Sequence, residues 1–143
     1  MGARRKGREY ALQALYLLDV SKMPAEKAIS TVLYGQKVEA PIAQFSRELA
    51  IGASEHMQEI DLLVQEHTKN WEMSRMAALD RNILRLGAYE LLYESDTPIS
   101  VIIDEAVEMA KEFSTPESGK FVNGILDKLK KVRPHGKDNV SKS

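Results

Sequence analysis

The chain has 143 residues, of which 43% are hydrophobic and 29% charged, a composition typical of one soluble globular domain rather than a disordered chain. It contains no cysteine, which excludes disulfide bonds, thiol catalysis and thiolate zinc sites, and no apolar run of about 18 residues, which argues against a membrane span. The net charge is −1, but half of the 20 Lys and Arg residues lie in residues 1–8 and 128–143, so two basic ends flank an acidic body and nucleic-acid binding becomes a function to test.

Apolar residues recur at intervals of three and four along the chain, which predicts an all-α protein. The basic N-terminus, MGARRKGREY, is not followed by an apolar stretch of the secretory type, so we expect a cytoplasmic protein. The first helix is predicted over residues 8–20. It is apolar on more than one side, so it is either surrounded by other helices or partly offered to a partner.

Proline and glycine residues divide the next part of the chain. Pro24 suits the first turn of a second helix that Gly35 ends, and Pro41 opens a third helix. A fourth helix is predicted over residues 55–69. Gly52 is expected to mark the bend between the third and fourth helices.

The most apolar segment, LDRNILRLGAYELLY, predicts a helix over residues 79–93. Its apolar residues share one side, and Arg81 and Arg85 are expected to project from the other. Glu90 points almost along Ile83, and a carboxylate in that direction requires a hydrogen-bonding or charged partner. We interpret Glu90 as a structural anchor rather than a catalytic acid.

The following helix is predicted to begin between residues 97 and 100 and to end at Phe113. The face opposite its apolar side is acidic and consists of Asp104, Glu105, Glu108 and Glu112. We expect this face to be solvated. It would repel RNA but could attract a basic protein.

The last helix begins within the segment STPESGKFVNGILDK, residues 114–128. Two starts are possible: a capping box of Ser114 with Glu117, or Thr115 as the cap with Pro116 at the first helical position. The buried stripe of this helix is predicted to contain Val122, Ile125, Leu126, Leu129 and Val132.

The sequence contains no convincing catalytic or metal site. Residues 118–120, SGK, superficially resemble a phosphate-binding loop, but the required earlier glycine is absent and Phe121 replaces the Ser or Thr that would bind magnesium. His56 and His67 are three helical turns apart, too far along the axis to share a metal ion. We therefore expect neither enzyme activity nor a cofactor.

RNA binding is better supported, because it requires cations for phosphate and flat groups on which exposed bases stack. Lys120 and a half-exposed Phe121 could supply both, and Gly119 and Gly124 beside them would let another backbone come close. Further cations stand at the N-terminus, namely Arg4, Arg5, Lys6 and Arg8.

We predict one helical domain over residues 1–134, composed of two small bundles at about residues 8–70 and 71–133 that divide near Trp71. Residues 135–143 are predicted to form a flexible basic tail.

Four segments together resemble the NusB family of bacterial transcription antitermination factors: RRKGREYALQALY, LDRNILRLGAYELLY, IDEAVEMAKEF and SGKFVNGILDK. The resemblance implies an all-α fold of two three-helix bundles. It also implies a protein that binds the boxA element of nascent RNA together with the small-subunit ribosomal protein NusE. That complex joins the RNA polymerase elongation complex with other Nus factors and supports ribosomal RNA synthesis. The fold also occurs at the N-terminus of an RNA cytosine methyltransferase, a branch that we do not favour because no catalytic domain follows here.

The resemblance also implies two binding surfaces. The RNA surface would contain Arg4, Arg5, Lys6, Arg8, Lys120 and Phe121. We further predict that Glu117 lies close to the phosphates and opposes them. The surface for the ribosomal protein would contain Tyr16, Asp80 and Arg85. The alternative hypothesis is a helical protein-interaction module or a homodimer whose basic arm binds RNA only non-specifically.

Overall fold

The computed structural model of the chain describes residues 2–134, which form seven α-helices and two short 3-10 turns, with no strand among these residues. The all-α prediction is confirmed. The predicted tail, residues 135–143, lies outside the described residues, as does Met1. The 3-10 turns are Met73–Arg75 and Lys130–Val132, and the helices are α1 (Gly2–Ser21), α2 (Ala25–Leu33), α3 (Ala40–Glu55), α4 (Met57–Glu66), α5 (Ala78–Tyr93), α6 (Ile99–Phe113) and α7 (Pro116–Leu129).

The helices pack in two groups around one continuous apolar core. Helix α1 packs against α2, α3 and α5, while α5, α6 and α7 pack against one another. The core joins both groups, and its fully buried side chains include Leu15, Leu49, Ile83, Leu91 and Leu126. The division near Trp71 therefore stays a prediction. Within residues 2–134, no helix is both long and apolar enough to span a bilayer.

Helix α1 begins six residues before the predicted start, because the basic segment continues the helix instead of preceding it. Arg5 and Glu9 form an i,i+4 ion pair of 3.2 Å within this first part. Gly7 is buried, and a Cβ atom there would stand 2.7 Å from a ring carbon of Phe45, so the basic segment packs directly on α3.

Glu90 has the partner that its position requires, as predicted. Arg8 donates from Nε and Nη2 to the two carboxylate oxygens of Glu90, both at 2.9 Å, and both residues are 2% exposed. The pair joins α1 to α5 in the interior.

The prediction that Arg81 and Arg85 project from the outer side of α5 is wrong. Arg81 is partly buried and donates to Asp19 at 2.9 Å, and Arg85 is 8% exposed and forms two hydrogen bonds of 2.8 Å to Asp61. Asp19 of α1 also accepts from Asn82 at 2.9 Å. The outer side of α5 is thus covered by α1 and α4, which a helical projection of α5 alone does not reveal.

Gly52 does not mark the bend between α3 and α4. It lies inside α3, and the chain turns at His56. A Cβ atom at Gly52 would stand 2.2 Å from the hydroxyl oxygen of Tyr89, so the glycine allows α5 to pack closely against α3.

Of the two possible starts of α7, the structure has the one with Thr115 as the N-cap. The Thr115 hydroxyl accepts a hydrogen bond of 3.0 Å from the Ser118 amide, and Pro116 occupies the first helical position. Two details of the prediction are wrong: Val132 is 39% exposed because it follows the helix in a 3-10 turn, and a Cβ at Gly124 would have no atom within 4 Å.

Candidate nucleic-acid interface

The basic residues at the start of α1 are largely engaged within the protein. The Arg4 guanidinium lies 4.0 Å from the ring centroid of Phe45, a cation–π contact. Lys6 has a side chain that is 59% exposed, and it approaches Glu9 at 3.7 Å. Arg5 contacts three carboxylates at 3.1–3.2 Å, those of Glu9, Glu105 and Glu112.

The contacts of Arg5 correct the expectation that the acidic face of α6 is simply solvated. Glu105 is 5% exposed and lies under Arg5, while Glu112 is exposed and approaches Arg5 from the side. An RNA phosphate that binds Arg5 must therefore compete with carboxylates that are already in contact with it.

Arg8 does not agree with its predicted place on the RNA surface. Its side chain is 3% exposed, and its hydrogen bonds go to Glu90. Arg8 therefore fixes the position of the basic segment, and of the four predicted residues Arg4, Arg5 and Lys6 remain candidates for contact with phosphate.

The start of α7 presents the second predicted group. Lys120 is exposed, and no ion pair or hydrogen bond of its ammonium group is present within residues 2–134. Phe121 is partly buried, and its ring forms a T-shaped contact with that of Trp71, with ring centroids 5.6 Å apart and planes at 70°. Glu117 is exposed on the first turn of α7, one turn before Phe121.

Two cavities of opposite charge lie on either side of the Trp71–Phe121 pair. The first, of about 330 Å³, is lined by the carboxylates of Asp80 and Glu117 and by one guanidinium group, that of Arg75. The second, of about 520 Å³, is lined by three lysines, namely Lys69, Lys120 and Lys128. By the balance of charged lining residues, the second side favours an anion and the first does not.

The second cavity includes residues that the sequence did not single out as functional. Trp71 stands in the link that follows α4, and it is 57% exposed. Its carbonyl oxygen accepts hydrogen bonds from Gln65 at 2.8 Å and from Thr68 at 3.0 Å, so the link is held firmly at the end of α4. The signal that could have identified this wall is the position of the single tryptophan of the chain in a polar link, outside the apolar stripe of any predicted helix.

The structure does not join the N-terminal basic residues directly to Lys120 and Phe121. No hydrogen bond or ion pair links the two groups within the described part of the chain, but both adjoin α6. Arg5 contacts the acids of α6, and a Cβ atom at Gly119 would stand 2.9 Å from Lys111. Helix α6 therefore lies between the two basic groups.

The residues predicted to meet the ribosomal protein fall into an exposed and a buried set. Tyr16 is 40% exposed on α1, one turn before Asp19, which bonds to the two residues that follow Asp80. Tyr16 and Asp80 thus lie on adjoining segments. Arg85 is buried against Asp19 and Asp61, so its predicted place on this surface does not agree with the structure.

Asp19 is a charged group at the centre of this region. Burial alone would raise the pKa of Asp19, but hydrogen bonds from Asn82 and Arg81 and the charge of Arg85 hold this pKa below its ordinary value. Asp19 is thus an ionised link between α1 and α5.

Asp80 occupies the first turn of α5, and its Oδ2 accepts a hydrogen bond of 2.9 Å from the Ser118 hydroxyl. Its Oδ1 is buried and has no hydrogen-bond partner among residues 2–134. The same residues contain no group of three or more His, Asp or Glu side chains placed to hold a metal ion.

The chain is similar to known proteins over most of its length. The model of the NusB family matches residues 5–131. Transcription antitermination protein NusB of Myxococcus xanthus is 46% identical over 133 residues, which cover 90% of this chain and 95% of that protein. The solved structure of T. maritima NusB has a TM-score of 0.89 at 36% identity and covers 96% of both chains. A crystal structure of antitermination factors NusB and NusE in complex with double-stranded RNA has a TM-score of 0.85 at 26% identity, covering 92% of this chain and 98% of that one.

Proposed function

The chain belongs to the NusB family, and we propose that it is a transcription antitermination factor that binds the boxA element of nascent ribosomal RNA together with the ribosomal protein NusE. The observation that carries the proposal is the similarity, over nearly the whole chain, to a NusB that was crystallised with NusE and RNA. The family assignment also supports the prediction that the protein is not an enzyme.

The arrangement of charges supports separate binding sites for RNA and for the ribosomal protein. RNA phosphates bind Lys120 and the N-terminal residues Arg4, Arg5 and Lys6, and a base stacks on Phe121. Glu117 stands beside this site and opposes the phosphates. Such contacts give salt-dependent affinity and a preference for an unpaired element.

The ribosomal protein binds the adjoining surface around Tyr16 and Asp80. A basic partner is attracted by the carboxylates of Asp80 and Glu117, which outnumber the one cation, Arg75, among the described residues that line the cavity beside the aromatic pair. RNA and partner then meet near Phe121, and each completes a binding surface for the other.

We extend the proposal to the cellular setting. The complex acts in the cytoplasm, within the RNA polymerase elongation complex and beside other Nus factors. A homodimer is the competing use of the same exposed surface, and it would place Tyr16 against a second copy of the chain.

The test is binding of labelled boxA RNA and of a scrambled RNA, each with and without NusE. Tighter binding of boxA RNA when NusE is present is the expected result. Equal, weak and salt-sensitive binding of both RNAs, unchanged by NusE, would overturn the proposal in favour of a helical interaction module with incidental RNA affinity.

A further inference from the structure

The cavity between the α4–α5 link and α7 is lined by the types of residue that bind single-stranded nucleic acid. One side is formed by the exposed indole of Trp71 in contact with the ring of Phe121, and the floor passes Gly124, where a Cβ atom would meet no atom within 4 Å. A groove with flat aromatic groups and an open floor admits a base without displacement of the backbone.

The charges in this groove are available to a ligand. Lys69, Lys120 and Lys128 are exposed, and their ammonium groups form no ion pair or hydrogen bond within the part of the chain that the structure describes. The arginines at the start of α1, in contrast, are held by carboxylates or by an aromatic ring. Glu66 is the one carboxylate among the lining residues, so the lysines outnumber it.

The order of the lysines gives the groove a direction. Lys120 and Lys128 are eight residues apart on α7, with Gly124 midway, so all three share one face and the lysines are separated by ~12 Å along the axis. Lys69 stands on the opposite wall, two residues before Trp71. A strand that runs along α7 would meet a cation, an aromatic wall and then a further cation.

We propose that this groove binds a second stretch of single-stranded RNA, in which one base stacks on Trp71 while Lys69 and Lys128 contact the flanking phosphates. The inference rests on the proposed function, because it continues the RNA path beyond Lys120 and Phe121. Base stacking on an aromatic side chain does not require a particular base, so the groove contributes affinity and length of contact rather than sequence choice.

Trp71 supplies a direct measurement, because it is the single tryptophan of the chain. We expect its fluorescence to be quenched as boxA RNA is added with NusE present, in parallel with binding followed by anisotropy of the labelled RNA. A titration of the protein with NusE in the absence of RNA gives the correction for the effect of NusE on the fluorescence. Inorganic polyphosphate, which has phosphates but no bases, is the matched ligand and should leave the indole unquenched.

Substitutions test the phosphate contacts separately. The double variant Lys69→Gln/Lys128→Gln should weaken RNA binding about tenfold or more, and should reduce the slope of log affinity against log salt by about 1.4 for two single-strand contacts. The matched control is Lys27→Gln/Lys37→Gln, which removes the same charge from exposed positions outside the groove. Trp71→Ala should weaken binding at least fivefold, and Trp71→Phe should restore part of that loss.

The outcomes separate this inference from the proposed function. BoxA-selective binding that neither quenches Trp71 nor responds to the lysine substitutions would overturn the groove assignment and leave the function standing. Loss of boxA preference with NusE present would overturn the function and the groove assignment together. Quenching by an acidic peptide such as polyglutamate, without quenching by RNA, would overturn the RNA assignment and identify a protein partner.

Discussion

Arg8 of α1 and Glu90 of α5 are 82 positions apart and form a double hydrogen bond in the interior, with both contacts at 2.9 Å and side chains 3% and 2% exposed. The pair attaches the basic segment of α1 to the centre of the C-terminal helices. The same contact therefore fixes where Arg4 and Arg5 can meet a ligand.

Glu90→Ala should lower the free energy of unfolding by about 3–5 kcal/mol, because it leaves the Arg8 guanidinium buried without a counter-charge. Urea denaturation of the two proteins measures this difference. Glu26→Ala is the control, since it breaks an exposed pair with Arg47 at 2.7 Å and should cost about 1 kcal/mol or less. Equal small losses in both variants would contradict a stabilising role for the buried pair.

Glu112→Gln should tighten RNA binding by roughly two- to fivefold, because it removes one of the carboxylates that compete with phosphate for Arg5. The matched control is Glu108→Gln, on the same helix, where the carboxylate pairs with Lys111 instead. RNA titrations at one salt concentration compare the two. An identical gain in both variants would mean that only the overall charge of α6 matters.

Asp80→Lys should weaken the complex with the ribosomal protein at least tenfold while the fold is kept, because it replaces a carboxylate that attracts a basic partner with a like charge. Calorimetric titration measures the affinity and circular dichroism checks the fold. Ser118→Ala removes the hydrogen bond to Asp80 without a change of charge and should have a smaller effect. Unaltered affinity in the Asp80 variant would remove this residue from the interface.

The periodicity of apolar residues was sufficient to predict the C-terminal helices but not the candidate site. The segment predicted over residues 79–93 forms Ala78–Tyr93, and the helix predicted to end at Phe113 does so, because one apolar stripe and a terminating residue define each of them. The predicted partner requirement of Glu90 was also confirmed. The identity of that partner was not predictable, because Arg8 stands in a basic segment that by itself indicates a solvated arm.

The groove beside α7 also could not be predicted from the periodicity of apolar residues. Phe121 was identified from its position at the edge of a helix stripe, whereas Trp71 appeared only as the start of a link. The orientation of a side chain in a link depends on the hydrogen bonds that hold the link, here those from Gln65 and Thr68 to the Trp71 carbonyl oxygen. Such hydrogen bonds produce no periodic pattern in the sequence.

Gly52→Ala should destabilise the protein by about 1–3 kcal/mol, because the added Cβ would stand 2.2 Å from the Tyr89 hydroxyl and displace the Tyr89 ring from its place on α3. Gly124→Ala is the opposite case: its Cβ enters open space inside a helix, and it should stabilise the protein by about 0.5–1 kcal/mol. Thermal denaturation compares both with the parent protein. A stable Gly52 variant would show that the Tyr89 ring can move aside without loss of stability.

Tyr93 should titrate with a pKa of about 12, because its hydroxyl donates a hydrogen bond of 2.6 Å to Glu59, and burial and the Glu59 charge add to this effect. Since the folded-state pKa lies above the ordinary value of 10, the stabilisation is fully present below pH 10 and is lost as the pH rises towards 12. Ultraviolet titration of tyrosine ionisation, with Tyr93→Phe to assign the signal, measures the pKa. Glu59→Ala should move it back towards 10, and Glu66→Ala, on the same helix, should not. A Tyr93 signal that titrates near 10 in the parent protein would contradict the hydrogen bond as its cause.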